Sequence, residues 1–140
     1  MLRKTVLLFI FVFSFFSFLL VNATSSKYIE ILDIDNNKIT EKIPINRVAQ
    51  LESEKFIQTI NNVVKKFKPI PDNGYMIKIP LEPSVHLENE WVNTLINEVI
   101  VIIPKGEEPY LLLFDDENNT YFFSFKASIE KLLNNFDISI

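Results

Sequence analysis

The chain has no cysteine, one histidine, one tryptophan and two glycines among its 140 residues, and each scarcity removes a class of chemistry. Without cysteine there is no disulfide framework and no lipid-modified N-terminal cysteine, so stability has to come from an apolar core. The lone histidine, His86, rules out His-paired metal sites and would have to carry any Ser-His-acid triad by itself. No Gly-x-Ser-x-Gly accompanies it, and Pro83-Ser84-Val85-His86 reads as an ordinary exposed connection. Gly74 and Gly106 are too few to build a phosphate-cradling loop. No metal and no cofactor is called for.

Positive charge is the next scarcity. Beyond residues 1–23, twelve cations (fourteen less Arg3 and Lys4) face eighteen acids, a formal charge of −6. A nucleic-acid binder needs a clustered basic footprint. The one cluster, Lys65, Lys66 and Lys68, falls where a helix C-terminus favours it. The same balance argues against an anionic membrane surface.

What the chain does have begins with Arg3 and Lys4, then an apolar run over residues 5–21 interrupted only by Ser14 and Ser17. It closes on Val21-Asn22-Ala23, the small-residue pattern that a signal peptidase reads, so residues 1–23 are expected to be a signal peptide cleaved before Thr24. The run exceeds the ~7–15 residues usual in a leader and approaches the ~17 that span a bilayer, so a retained membrane anchor is the competing reading. Either way residues 24–140 are exported, because the positive N-terminal side stays in the cytosol. The expected location is extracytoplasmic, secreted or held at the membrane by the N-terminal segment alone.

Residues 27–34 alternate, and Asp35-Asn36-Asn37-Lys38 supplies turn chemistry before residues 39–45, which predicts a β-hairpin. The period then changes. Leu51, Ile57, Ile60, Val64 and Phe67 recur at helical steps, Glu52 and Glu54 lie early, the lysines lie late, and Pro69 stops the pattern. This predicts one long helix, starting anywhere from Asn46 to Ser53 and ending at Lys68. A turn at Pro71-Asp72-Asn73-Gly74 leads into a strand over residues 75–81. Residues 84–97 fit a short helix through Leu87, Trp91 and Leu95, and equally a strand. Residues 99–103, 110–114 and 121–125 are short apolar runs between polar turns, a three-strand antiparallel meander. Residues 128–136 carry a Ser cap and Ile129, Leu132, Leu133 and Phe136 at helical spacing, a short closing helix. The expected fold is a single α+β domain, mostly antiparallel sheet, packed with one long and one short helix.

Several motifs resemble sites and fail on spacing. Asp33-Ile34-Asp35-Asn36-Asn37 starts like a calcium loop, but Lys38 stands where the sharp turn needs glycine and Pro44 where a bidentate Glu is required. Asp115, Asp116 and Glu117 read as a polar turn. Glu88 and Glu90 flank the approach to Trp91, yet two residues apart they lack the separate environments that split a catalytic carboxylate pair. Asn118-Asn119-Thr120 matches a glycan acceptor whose use depends on the host.

The function expected from this pattern is a small exported, non-catalytic binding or interaction domain. A membrane-tethered accessory or sensor domain is a variant, and an acid-based extracellular hydrolase, using Glu88, Glu90, Asp115 or Asp116, is the enzymatic alternative. The expected docking site lies on the meander, whose strands are apolar at successive positions and so on both faces. Phe122 and its neighbours are expected to meet an unknown protein partner or a second copy of the chain.

Overall fold

The computed structural model describes residues 28–140; the expected leader, residues 1–23, lies outside the described residues. Strands β1 (Tyr28–Asp33) and β2 (Lys38–Pro44) form the predicted hairpin. The Asp33 carboxylate closes its turn by accepting the Asn36 backbone N–H at 3.2 Å and side-chain amide at 2.7 Å. Asn37 takes the left-handed conformation, φ 47°, that asparagine tolerates.

Helix α1 (Arg47–Gln58) is capped by Asn46, whose side chain accepts the Ala49 N–H at 2.9 Å. It ends at Gln58, ten residues short of the predicted Lys68. The Thr59 hydroxyl donates back to the Lys55 carbonyl at 2.8 Å, and the chain then extends into β3 (Ile60–Val63), antiparallel to β7. Ile60, Asn61, Asn62 and Val63 are all mediocre helix formers, so a free strand edge outcompetes continuation of the helix. The lysine cluster at 65–68 is therefore not a helix end.

Strands β4 (Gly74–Glu88) and β5 (Asn93–Pro104) are far longer than predicted, 15 and 12 residues, and absorb the undecided stretch 84–97. Their register shifts between Pro80 and Val85, where β4 carries extra residues. Beyond this irregularity the two strands continue as an arm. Its tip brings Trp91 against Phe123, ring centroids 5.6 Å apart. Strands β6 (Tyr110–Phe114) and β7 (Thr120–Phe125) complete the meander, and α2 (Glu130–Asn135) closes the chain.

All strand pairs are antiparallel, in the order β2-β1-β4-β5-β6-β7-β3. The α+β class, with a mostly antiparallel sheet and two helices, is what the sequence pattern predicts. Ile31, Ile77, Val101, Leu111 and Phe123 stand in one cross-strand row and are all buried. Ala49, Phe56 and Ile57 of α1 and Leu132 and Leu133 of α2 join the same cluster. Phe56 and Phe123, each fully buried, contribute about 1.5–3 kcal/mol apiece. This is the first face of the sheet. Among the described residues no helix is long and apolar enough to cross a membrane.

Candidate functional site

Side chains alternate across a sheet, so the residues between those core positions face the other way. Register places two rows on this second face. One runs Lys42, Glu30, Lys78, Ile100, Leu112, Phe122, and the other Ile39, Leu32, Met76, Ile102, Tyr110. The rows are charged or mixed on β2, β1 and β4 and apolar on β5, β6 and β7.

The apolar half is covered by an irregular segment of the chain itself. Ile102, Tyr110 and Leu112 are buried in a second cluster with Val64 and Phe122 packed against it. Residues 64–73 return from β3 to β4 across this half. The Val64 N–H donates to the Phe122 carbonyl at 2.8 Å, and the Tyr110 hydroxyl donates to the Pro69 carbonyl. The Lys66 ammonium sits 4.9 Å from the Tyr110 ring centroid and pairs with Glu107, which raises its pKa. Phe122 is half-buried, its ring 6.4 Å from that of Tyr110.

The rest of the face is open. An apolar groove of about 210 Å³ is lined by Glu30, Leu32, Ile39, Met76, Lys78 and Ile100. Its charges are tied to each other: Glu30 bonds Lys78 at 2.8 Å and Lys42 at 3.3 Å. The Lys78 hydrogen bond is the main reason the Glu30 carboxyl is held below its ordinary range, and it also raises the Lys78 ammonium. Ile39 remains 44% exposed beside this pair. Farther along β5 and β6, a recess of about 310 Å³ collects Leu95, Phe114, Glu98, Asp115 and Asp116.

Asp115 in that recess is already engaged. Its carboxylate accepts the backbone N–H groups of Glu117 at 2.9 Å and Asn119 at 2.8 Å, the Asn119 amide at 2.8 Å and the Tyr121 hydroxyl at 3.0 Å. The Asn119 side-chain bond leads in lowering its pKa. The group builds a turn, as its sequence suggested. His86 and Asn93 share a 2.7 Å hydrogen bond on the exposed side of the arm. Glu88 and Glu90 stand exposed near the arm tip, and Asn118, φ 61°, is exposed in the β6–β7 turn. Among the described residues no group of three His, Asp or Glu is placed to hold a metal ion.

Phe67 escaped the sequence reading because its spacing fitted the helical stripe. It is in fact fully exposed, at 109%. Pro69 is equally compatible with a helix ending at Lys68, so the one contrary signal is Asn61-Asn62, poor helix formers in the middle of the stripe. The chain matches no family model, no curated protein and no solved structure. Its functional reading therefore rests on this surface.

Proposed function

We propose that the chain is a small exported, non-catalytic binding domain that docks a protein on the second face of its sheet. The observation that carries this reading is the apolar groove lined by Leu32, Ile39, Met76 and Ile100, in which Ile39 is exposed and the other three are half-buried, beside a half that the chain itself seals. An apolar strip is a cost in water unless something covers it. Phe122 marks its sealed margin and belongs to the same surface. Both sheet edges discourage growth by strand addition. β2 carries a bulge opposite Ile31 and Leu32 and ends in Pro44, and β3 is short, asparagine-rich and irregular. The face is the better route to a partner.

The tethered variant draws support from length: only six residues, 22–27, separate the end of the apolar run at Val21 from the start of β1 at Tyr28. A retained leader would hold the domain within about 20 Å of the bilayer.

Site-specific photo-crosslinking in the host tests the docking reading. A photoreactive phenylalanine analogue replacing Ile39 is expected to give a discrete protein adduct, and one replacing exposed Asn134 beyond the first face is expected to give none. Equal labelling at both positions, or none at Ile39, removes the reading.

A further inference from the structure

Resting on that reading, we propose that the occupant is a second copy of this chain, seated antiparallel on the second face so that Phe67 of each copy enters the Leu95–Phe114 recess of the other.

The knob is preorganised. Phe67 is fully exposed, yet the segment carrying it is fixed on both sides, by Val64 on the Phe122 carbonyl and by the Pro69 carbonyl on Tyr110. Fixing a loop before it binds reduces the ordering cost of association. The socket has room, since its volume of about 310 Å³ exceeds the roughly 150 Å³ that accommodates benzene in an engineered cavity. Its apolar lining is Leu95, 56% exposed, and half-buried Phe114, with Asn97 and Asn118 beside them.

Charge sets the direction. Strands β5 and β6 pair Ile102 with Tyr110 at one end and Val99 with Leu113 towards the other. The first end holds Lys66, Lys68 and Lys105, with Lys65 beside them; the other holds Glu98, Asp115 and Asp116. Glu107 and Asp72 offset Lys66 and Lys68 within the chain; Lys65 and Lys105 have no ion-pair partner among the described residues, and with Glu108 in the same turn the end stays basic by one charge. A twofold axis across the strands, midway between knob and socket, sets basic end on acidic end in both halves at once, and closes after two copies. It also sets the end raised by residues 64–73 over the partner's open end, and the Met76–Ile100 strips meet between them.

The area sets the strength. Seven strands spaced about 4.8 Å and about five residues deep offer roughly 500 Å² per copy, or about 1,000 Å² in all. That is the lower bound for a specific interface, so the dimer is reversible, with a Kd of roughly micromolar to tens of micromolar order.

Sedimentation equilibrium of the exported protein, as recovered from its host, tests this. A monomer–dimer equilibrium weakened by added salt is expected, and Phe67→Ser should weaken it at least tenfold. Lys65→Glu with Lys105→Glu, and separately Glu98→Lys with Asp116→Lys, should each abolish the homodimer. Mixed together, the two charge-reversed proteins should dimerise again, because every knob then faces a socket of opposite sign. A monomer up to about 1 mM, far above the expected Kd, overturns the proposal, as does growth beyond a dimer, indifference to Phe67→Ser, or no recovery on mixing. A monomer that still crosslinks through position 39 to a different protein sinks the dimer and leaves the docking reading standing.

Discussion

The Tyr110 hydroxyl donates to the carbonyl of Pro69, and this contact ties β6 to a connecting segment that has no ladder of its own. Burial of Ile102, Tyr110 and Leu112 depends on that segment staying in place. Burial in turn raises the phenol's pKa, so the group remains a hydrogen-bond donor well past neutral pH.

Tyr110→Phe keeps the ring and removes the donor. The expected loss is about 1 kcal/mol, a melting shift of about 4 °C in a domain of this size. Hydrogen exchange should quicken over residues 64–73 and stay unchanged in β4 and β5 near Ile77 and Val101. Uniform quickening across the sheet would show that Tyr110 supports the whole core and is no local tie.

Gln50 joins α1 to the irregularity in β4. Its side-chain carbonyl accepts the Glu82 N–H at 3.0 Å, and its amide donates to the Pro83 carbonyl at 3.2 Å and to Glu54 at 2.9 Å. The residue is 9% exposed, so Gln50→Ala leaves Glu82 and Pro83 poorly compensated. A stability loss of about 1–3 kcal/mol is expected, read from the denaturant midpoint at constant slope. A loss below about 0.5 kcal/mol would mean that water replaces the side chain without penalty.

These cases show which parts of the fold local pattern could reveal. Alternation around Ile29 and Ile31 and the Asp35-Asn36-Asn37-Lys38 turn were enough for the first hairpin, whereas pattern alone allows α1 to start anywhere from Asn46 to Ser53 and it is the Asn46 cap that settles it. The end of α1 was not legible. Ile60, Val64 and Phe67 preserve helical spacing, and the competitor that draws residues 60–63 into a strand is an edge of β7 some 60 residues downstream. Leu87, Trp91 and Leu95 likewise mimic a helix, whereas Leu87, Thr94 and Ile96 are the residues buried on the arm and Leu95 lies outside. For the candidate surface, the two-sided apolar character of the meander pointed to a second face that had to be covered. The cover itself was hidden, because a lysine-rich stretch reads as solvated whether or not its backbone lies on a sheet.

Glu30 links that surface to pH. Its folded pKa is depressed below 4.5, first by the Lys78 hydrogen bond, so its contribution is fully present above 4.5 and is lost as pH falls through the folded value. Glu30→Gln should cost up to about 1 kcal/mol near pH 7, with the gap from wild type closing as pH drops below 4.5. The Lys78 pKa is raised, so the same interaction is present below 10.5 and fades as pH rises through the elevated value. Thermal melts from acid to alkaline pH check both limbs. A gap that persists at pH 2, below the carboxylate range, would assign the loss to shape rather than to charge.

Gly74 starts β4 with φ +115°, a backbone region that side chains rarely adopt. Its N–H donates to the Asp35 carboxylate at 3.0 Å and its carbonyl accepts from Ile34, so the conformation is held by the first hairpin. A Cβ added here would lie 2.1 Å from the Ile103 carbonyl oxygen, which is backbone in a central strand and cannot rotate aside. Gly74→Ala therefore combines torsional strain with a forced separation of β4 from β5, and a loss above about 3 kcal/mol is expected. Gly106 is the control: its φ is +75°, but nothing lies within 4 Å of an added Cβ. Gly106→Ala should lose only the strain, about 1 kcal/mol or slightly more. Chemical denaturation of the two variants side by side separates the effects. Equal losses would show that the close approach at Ile103 relaxes freely, and that conformation alone keeps glycine at position 74.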